Sequence, residues 1–380
     1  MTTHAGTGTF APGRRPLEDF LLGLDIRIDG ARPHDVRIID DAFWTKALPW
    51  GIKGILDAYV DGWWECDRLD EMTTRVLSAG KTIQAWRALP LAAQHLVWRA
   101  LNHQTRRRSL EIRRHYDLGD DLFAAMLDRR MAYSCAYWKD AATLDEAQEA
   151  KLDLVCRKVN LRPGMRVLDI GCGWGSFVGF AAERYDVSAV GVTISEDQVC
   201  LGRERTAGLP VDIRLQDYRD LPDERFDAIV SIGMFEHVGY KNYRTYMETV
   251  RRCLKPDGLF LLHTIGGPTS KVSCNPWIAE NIFPNSMLPS ARQIAQATEG
   301  LFVLEDWHSF GADYDRTLMA WHRNFEAAWP ALEASYGDRF RRMWRCYLLV
   351  CAGSFRARDN QLWQIVLSPN GVRGGYQSVR

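Results

Sequence analysis

The stretch that decides the fold covers residues 167–175 and reads Val167-Leu168-Asp169-Ile170-Gly171-Cys172-Gly173-Trp174-Gly175. Its apolar first half is typical of a buried strand. The glycines that follow predict a sharp turn that a ligand can approach closely, because glycine carries no Cβ. Their spacing is G-x-G-x-G and not the G-x-G-x-x-G of a dinucleotide site. A glycine turn alone does not settle the function, since many strand-to-helix turns use glycine for geometry only.

The sequence around this turn alternates between strand and helix patterns. We predict strands over 166–170, 188–194, 211–216, 228–232 and 259–264, with helices over 176–184, 196–206 and 243–254. Such alternation indicates an α/β fold whose mostly parallel sheet is covered on both faces. In sheets of this kind, ligands bind beyond the carboxyl ends of the strands.

The N-terminal part of the chain has a mixed pattern. We predict a helix over 17–22 and two short strands, 24–28 and 36–39, around an Asp29-Gly30 turn. Residues 81–114 then combine eight basic residues and a single acid with regularly placed apolar residues. Two interpretations stay open for this segment: a solvated helix face with an exposed linker, or a cationic amphipathic segment resting on anionic lipid headgroups.

Composition excludes several classes of protein. Lys+Arg and Asp+Glu both number 48 in 380 residues, and this balance argues against a nucleic-acid binder. The nine cysteines contain no C-x-x-C pair, which favours reduced thiols in a cytoplasmic protein over a disulfide framework or a metal site. No apolar run approaches the roughly 18–20 residues that cross a bilayer, and residues 1–16 lack the apolar segment of a signal peptide. We therefore expect any membrane contact to be peripheral.

A family resemblance emerges from several motifs taken together. The strand and glycine turn at 167–175 resemble motif I of class I S-adenosylmethionine-dependent methyltransferases. The second strand ends Gly191-Val192-Thr193-Ile194-Ser195, where such enzymes usually carry an acidic residue for the ribose hydroxyls. Together with two later segments, this ending is similar to cyclopropane fatty acid synthases. The two segments are Leu215-Gln216-Asp217-Tyr218-Arg219-Asp220 and Gly233-Met234-Phe235-Glu236-His237-Val238-Gly239.

Further matches extend the resemblance over nearly the whole chain. They read YVDGWWECD at 59–67, HYDLG at 115–119, YSCAYW at 133–138, LLHTIG at 261–266, FGADY at 310–314 and CAGSFRAR at 351–358. Small departures occur at Asp120, where the family usually has Asn, and at Arg129, where it often has Pro. The resemblance implies an N-terminal lipid- or membrane-associating domain over 1–108, helical or α+β, and a catalytic methyltransferase domain over 109–380.

The implied activity is transfer of a methylene group from S-adenosylmethionine to the cis double bond of an unsaturated phospholipid acyl chain. The alkene attacks the sulfonium methyl and leaves a carbocation, and a base must then remove a proton from the added methyl to close the ring. The pocket must keep water from the cation. Aromatic faces suit this task, because their quadrupole attracts positive charge. The candidates for this lining are Tyr133, Tyr137, Trp138 and Tyr314.

The residues themselves suggest no obvious protein base. The resemblance implies one, a bound bicarbonate ion held by positions matching Cys135, Glu236, His263, the backbone of Ile265 and Tyr314. Cys351 is a further catalytic candidate, although a cysteine in such an apolar helical stretch is more often a small buried hydrophobe.

The resemblance also assigns a site for the methyl donor. We expect the backbone at 171–175 to face the methionine end, and Thr193 with Gln198 to face the ribose. The matching positions are Tyr133, Ser134, Asp169, Gly171, Gly173, Thr193, Ile194, Gln198, Gln216, Asp217 and Tyr218. The resemblance also implies a homodimer at the inner face of the membrane that binds neither nucleic acid nor metal.

Three alternatives compete with this interpretation. An enzyme of the same fold could methylate the acyl chain without closing the ring, and the sequence leaves this open. A small-molecule N-methyltransferase is disfavoured by the set Cys135, Glu236, His263 and Tyr314 together with the N-terminal domain. A non-catalytic lipid-binding protein is disfavoured by the intact glycines and the intact anion-binding set.

Overall fold

The computed structural model describes residues 14–80 and 119–380. The basic segment 81–114, most of the motif at 115–119 and the predicted domain boundary at 108 lie outside the described residues. The residues before the gap form a small unit: α1 Arg14–Gly23, β1 Arg37–Ile38, α2 Gly51–Val60, β2 Trp64–Glu65 and α3 Leu69–Ser78. Helix α1 contains the helix predicted over 17–22.

The two short strands predicted around the Asp29-Gly30 turn do not pair as a hairpin. They share one isolated bridge, and β1 pairs with β2 instead. The physical cause is Asp35, whose buried carboxylate accepts hydrogen bonds from the amides of Arg27 (2.8 Å) and Arg32 (2.9 Å). These bonds close the segment into a loop, so the strand predicted over 24–28 is wrong, whereas the strand predicted over 36–39 contains β1.

A seven-stranded sheet occupies the centre of the remaining chain. Its strands are β3 Arg166–Ile170, β4 Ser188–Thr193, β5 Val211–Leu215, β6 Phe226–Ile232, β7 Leu254–Gly266, β8 Val303–Ser309 and β9 Gln361–Ser368. Their order is β5-β4-β3-β6-β7-β9-β8, and β9 runs in the direction opposite to the other six strands. All five predicted strands are present, which confirms the α/β fold with a mostly parallel sheet.

The chain reverses its direction of winding at β3. It proceeds from β3 to β4 and β5 on one side, and then places β6 and β7 on the other side. Such a reversal opens a crevice beyond the carboxyl ends of the strands, where α/β proteins bind ligands. The glycine turn at 171–175 leaves β3 at this point.

Helices cover the sheet and connect its strands. They are α4 Asp120–Met126, α5 Leu144–Lys158, α6 Ser176–Tyr185, α7 Glu196–Arg205, α8 Tyr243–Cys253, α9 Pro276–Asn281, α10 Ala291–Thr298 and α11 Ala312–Arg356. Side chains fix several helix starts: Thr143 and Glu146 form a capping box on α5, and Ser195 caps α7. Within 14–80 and 119–380, none of the helices combines the length and apolarity that crossing a bilayer requires.

Helix α11 joins the N-terminal unit to the sheet. It is 45 residues long and kinks at Gly337, whose φ of 74° and ψ of 162° are not helical. Its second half packs on α3 so closely that a Cβ added at Gly353 would lie 2.5 Å from the Asp70 carbonyl oxygen. The buried Asp70 carboxylate accepts hydrogen bonds from Arg356 and Arg68, both at 2.8 Å. The N-terminal unit and α11 thus share one hydrophobic core.

Candidate active site

A cleft opens at the carboxyl ends of β3, β4 and β6, where the winding of the sheet reverses. The space in it, with the open mouth included, is about 1220 Å³. Every position that the sequence predicts for the methyl donor lies on its walls. These are Tyr133, Ser134, Asp169, Gly171, Gly173, Thr193, Ile194, Gln198, Gln216, Asp217 and Tyr218.

The glycine turn forms the floor of the cleft. Gly171 and Gly173 have φ values of 87° and 54°, a region that side chains with a Cβ rarely adopt. A Cβ at Gly171 would lie 2.7 Å from Cγ of Met234, another residue of the cleft wall. A Cβ at Gly173 would meet nothing within 4 Å. The turn therefore needs glycine for its shape, and at Gly173 it leaves space for a ligand.

Two buried charges lie at one end of this floor. Asp169, at 2 % exposure, is the penultimate residue of β3, and its Oδ1 has no hydrogen-bond partner among the described residues. Burial raises the pKa of Asp169 to about 7, and the positive charge of Lys151 opposes that rise. Lys151 lies on α5 with 1 % exposure, and its ammonium donates to Ser134 Oγ at 2.8 Å. The orphaned carboxylate oxygen fits a site for the ammonium group of an amino-acid ligand.

Sequence reasoning missed Lys151. Lys151 falls on the same face of α5 as Gln148 and Val155, and all three are buried. A lysine on a buried stripe must find a partner or a function.

The opposite wall carries hydrogen-bonding side chains. Thr193 Oγ1 donates to Gln198 Oε1 at 2.6 Å, and the N-cap Ser195 accepts from the Gln198 amide. Asp217 is held in place by the amide and Nε of Arg219, both at 2.9 Å. This wall therefore presents fixed polar groups where the sequence places the ribose side of the donor.

A second group of predicted residues lies beside the cleft. Glu236 follows β6 in a short 3-10 turn, and its Oε1 accepts a hydrogen bond from the Ile265 amide at 2.7 Å. Its other oxygen, Oε2, is buried and has no partner within the described ranges. Burial raises the pKa of Glu236 to about 7. The Ile265 amide, expected to face a bound anion, is thus engaged by Glu236 here.

His263 completes the polar part of this group. Gln364 of β9 places its amide nitrogen 3.2 Å from Nδ1 of His263, and burial holds the pKa of the ring well below its usual range. The ring is therefore neutral, and with Nδ1 accepting it carries its proton on Nε2. That Nε2 is buried and lacks a hydrogen-bond partner in the described part of the chain.

Cys135 and Tyr314 lie in a small apolar cluster with Ile265. Cys135 is fully buried, its thiol donates to the Ala136 carbonyl at 3.3 Å, and burial raises its pKa well above the usual range. Tyr314 stacks on Phe355 at 4.5 Å between ring centroids, and burial keeps its phenol neutral by raising its pKa. Both groups are therefore neutral donors and not nucleophiles.

Cys351 is in a different environment. It lies in the second half of α11 and packs against the core shared with the N-terminal unit. Burial raises the pKa of its thiol to about 12. A thiolate is therefore disfavoured there, which weighs against covalent attack by Cys351.

Aromatic side chains connect the donor cleft to the second group. Tyr133 lies 5.1 Å from the Trp321 ring, and Trp321 lies 6.0 Å from Tyr314. The Tyr133 hydroxyl also pairs with that of Tyr347 at 2.9 Å, and Phe283 approaches both rings. This aromatic wall, Tyr133, Tyr314, Trp321, Phe283 and Tyr347, offers the kind of surface that a cationic intermediate requires.

Two of the four predicted lining residues point elsewhere. Trp138 donates through its indole to Thr317 at 2.9 Å and carries the Arg316 guanidinium over its ring. Tyr137 packs against His308 and Phe310. Both fasten the loop after α4 to neighbouring elements and lie outside the aromatic wall.

Comparison with known proteins identifies the family. The family model described as Mycolic acid cyclopropane synthetase matches residues 103–365. The chain is 53% identical over 367 residues to the cyclopropane-fatty-acyl-phospholipid synthase of Escherichia coli strain K12, covering 96% of each chain. It is 39% identical to cyclopropane mycolic acid synthase 3 of Mycobacterium tuberculosis, over 67% of this chain and 96% of the relative.

Solved structures agree with these matches. The cyclopropane synthase MmaA2 from Mycobacterium tuberculosis is 33% identical with a TM-score of 0.63, covering 68% of this chain and 97% of its own. The mycolic acid cyclopropane synthase CmaA1, complexed with SAH and CTAB, gives the same values. The resemblance to cyclopropane fatty acid synthases is thus confirmed. The chain belongs to the mycolic acid cyclopropane synthetase family and is an S-adenosylmethionine-dependent methyltransferase.

Proposed function

We propose that the protein transfers a methylene group from S-adenosylmethionine to the cis double bond of an unsaturated phospholipid acyl chain, and that bound bicarbonate assists ring closure. The name of the Escherichia coli relative, which matches 96% of this chain, supports the phospholipid substrate. The observation that carries the mechanism is the pair of buried polar atoms, Glu236 Oε2 and His263 Nε2, that lack partners among the described residues beside the aromatic wall.

The reaction needs one electrophile and one proton acceptor. The π electrons of the alkene form a bond to the sulfonium methyl carbon, the carbon–sulfur bond breaks, and the demethylated donor is released. The positive charge then lies on the acyl chain, where the faces of Tyr133, Tyr314 and Trp321 stabilise it and exclude water. Loss of one proton from the added methyl lets the carbon–carbon bond of the ring form.

The second group of residues fits a small anion that both donates and accepts hydrogen bonds. His263 Nε2–H is a donor, Glu236 Oε2 is an acceptor, and Tyr314 adds a neutral donor nearby. Cys135 would add another by turning its thiol away from the Ala136 carbonyl. When bound, bicarbonate supplies a base that can take one proton at neutral pH. Glu236 would orient it, and the Ile265 amide would act by holding Glu236 in place.

The substrate enters from a membrane in this proposal. We assign residues 1–108 to lipid association and 109–380 to catalysis, with the protein peripheral on the inner face of the membrane and homodimeric. Trp50 and Ile52, at 70 % and 46 % exposure, give the start of α2 an apolar surface suited to a lipid interface. Light scattering of the purified protein at several concentrations tests the dimer.

A neighbouring activity is kept as the alternative. The chain is 38% identical over 278 residues to a probable fatty acid methyltransferase of Pseudomonas putida, covering 70% of each chain. An acyl-chain methyltransferase would share the donor cleft and the aromatic wall but would not close the ring.

Product analysis separates these two reactions. The protein is incubated with S-adenosylmethionine and vesicles of unsaturated phospholipid, and the extracted lipid is examined by mass spectrometry and proton NMR. Gain of one CH2 with loss of the alkene signal is expected. A retained exocyclic methylene or a saturated methyl branch would assign the alternative, and an unchanged lipid would overturn both.

The role of bicarbonate is tested on the same assay. Removing dissolved CO2 should slow turnover, and adding bicarbonate should restore it. Cys135→Ser should keep measurable activity, because its proposed role is to donate a hydrogen bond. A fully inactive Cys135→Ser protein with a lipid bound to the wild-type thiol would replace this mechanism by covalent catalysis.

A further inference from the structure

Helix α5 buries two lysines seven residues apart, Lys151 and Lys158, at 1 % and 0 % exposure. They lie in different surroundings. Lys151 is part of the cleft wall, next to Ser134 and Asp169. Lys158 is remote from that wall and places its ammonium 2.9 Å from His308 Nδ1. Burial of a lysine is costly unless the charge has a partner, and only Lys151 can meet a ligand in the cleft.

The ammonium group of Lys151 can donate more hydrogen bonds than its contacts use. Its ammonium donates to Ser134 Oγ at 2.8 Å, and an ammonium has three N–H donors. Asp128 and Asp169 act on it at longer range. The Asp169 carboxylate in turn has an oxygen without a partner in the residues described. The cleft wall thus carries the Lys151 ammonium and the Asp169 carboxyl group, which interact electrostatically and each have hydrogen-bonding capacity to spare.

We infer that Lys151 binds the α-carboxylate of the methionine end of the donor, whose α-ammonium then faces the Asp169 oxygen already described. The amino-acid end of S-adenosylmethionine is a zwitterion, so it matches this pair of opposite charges in sign and in number. Ser134, which accepts from Lys151, holds the ammonium at the floor. This inference rests on the proposed function, since it concerns the donor of that reaction, and it adds a binding residue to the predicted donor site.

The ionisation state of Lys151 is compatible with this role. Burial lowers its pKa to about 8, and the negative charges around it, Asp128 first, act in the opposite direction. The group is therefore charged at neutral pH, and a bound carboxylate would favour the charged form further.

A purely structural role for Lys151 is less well supported. The loop that carries Ser134 is already held by Gln148, whose side-chain amide donates to the carbonyls of Ala132 (3.1 Å) and Ser134 (2.8 Å). Asp128 also accepts from the Ala132 amide at 2.8 Å. The loop therefore has three fixed contacts that do not involve Lys151.

Calorimetry with two ligands tests the inference. S-adenosylhomocysteine has the amino-acid end, whereas 5′-methylthioadenosine has the same adenine, ribose and sulfur without it. In Lys151→Met, affinity for S-adenosylhomocysteine should fall about 10- to 100-fold, as expected for one charge-assisted hydrogen bond. Affinity for 5′-methylthioadenosine should stay within about twofold, which is the readout that a structural role would not give. Lys158→Met, the matched control, should change neither affinity.

Each other outcome has a defined meaning. An equal fall in the affinity of Lys151→Met for both ligands would show that the lysine only supports the fold of the cleft. This result would overturn the inference. Unchanged binding of S-adenosylhomocysteine would overturn it as well. Failure of the wild type to bind S-adenosylhomocysteine would instead contradict the proposed function, so the two failures are distinguishable.

Discussion

Glu236 has its carboxyl group buried with one oxygen bound by the Ile265 amide and the other without a partner among the described residues. Burial raises its pKa from the ordinary 4.5 to about 7. Below pH 4.5 the group is largely protonated in both the folded and the unfolded chain, so its ionisation takes nothing from the stability of the fold. As the pH rises towards 7 the unfolded chain ionises first, and stability is lost.

Glu236→Gln is therefore expected to act in opposite directions on stability and on turnover. At pH 8 the free energy of unfolding should rise by up to about 3 kcal/mol, while at pH 4 it should not change. Turnover should fall by orders of magnitude with unchanged donor affinity, because the loss belongs to the chemical step. Denaturant melts at both pH values and single-turnover assays measure this.

Asp169→Asn is the matched comparison for that variant. Asp169 is equally buried and has a pKa of about 7 for the same reason, but it lies on the donor cleft. Its replacement should lower donor affinity and, at saturating donor, affect turnover less. A Glu236→Gln protein that is destabilised at pH 8, or that loses donor affinity, would contradict the role given to Glu236.

Gly171→Val is expected to abolish donor binding. The φ of 87° disfavours any Cβ, and the added atoms would displace Met234 into the cleft. Gly208→Val is the control, because Gly208 has a similar φ of 81° in open surroundings away from the cleft. Calorimetry with S-adenosylhomocysteine should show no binding for the first variant and normal binding for the second. Normal affinity in a folded Gly171→Val protein would remove the glycine turn from the donor site.

The residues of the donor cleft could be predicted because they occur in short motifs whose order is fixed by the strands. Asp169 and Gly171 are only two positions apart in sequence, so the strand-and-turn pattern already places them together. Lys151 could not be placed in this way, since its partners Ser134 and Asp169 come from distant segments. The same holds for Gln364, which sets the proton position on His263 from the other end of the chain.

At the level of elements, the predictable part of the fold is its parallel half. Strands β3, β4, β6 and β7 are apolar runs buried on both faces, and such runs can be recognised without tertiary information. Strand β8 reads VLEDWHS and is largely accessible, so its sequence resembles a loop. Strand β9 enters between β7 and β8 against their direction, which is decided by long-range pairing alone.

The close contact between α3 and α11 also cannot be predicted from the sequence, and it leads to a testable prediction. In Gly353→Ala the added methyl would meet the Asp70 carbonyl at 2.5 Å and Thr73 Cβ at 2.7 Å, so the two helices must separate. We expect the free energy of unfolding to fall by about 2–3 kcal/mol, together with a loss of turnover, because α11 also carries Tyr314 and Tyr347.

Gly337→Ala controls for backbone strain on the same helix. Gly337 has a φ of 74° and a ψ of 162°, a combination that glycine adopts far more readily than other residues, and has open space around it. Alanine there should cost about 1–3 kcal/mol through backbone strain alone and leave turnover intact. Chemical denaturation and the lipid assay compare the two variants. If Gly353→Ala retained wild-type stability and turnover, α3 would not be a support for the reaction centre.

At the scale of the whole molecule, charge is balanced overall but concentrated locally. The formal net charge is zero, yet residues 81–114 carry eight basic residues and one acid. If this segment rests on anionic lipid, binding to vesicles should weaken as ionic strength rises from about 0.01 M to about 1 M. Reversing Arg106, Arg107 and Arg108 to Glu should weaken binding further, and donor affinity should not change. Vesicle sedimentation and calorimetry measure both quantities.

A second triple reversal provides the control for net charge. Arg162, Arg292 and Arg373 are exposed in the described structure and lie outside residues 1–108, and replacing them with Glu changes the total charge equally. This variant should bind vesicles almost as well as the wild type. Vesicle binding that does not change with salt, or an equal effect of both reversals, would support the interpretation of residues 81–114 as a solvated linker.

The docking of the N-terminal unit on α11 has a consequence for building chimaeras and shortened versions of this enzyme. The family model begins at residue 103, so this position would be an obvious start for a shortened enzyme. Yet Arg342 donates to the Tyr59 carbonyl and Arg356 to Asp70, and Trp344 is buried in the shared core. An enzyme shortened at that boundary would expose the apolar side of α11 and leave these arginines without these partners. A chimaera of two relatives therefore has to take the N-terminal unit and the surface of α11 from the same parent.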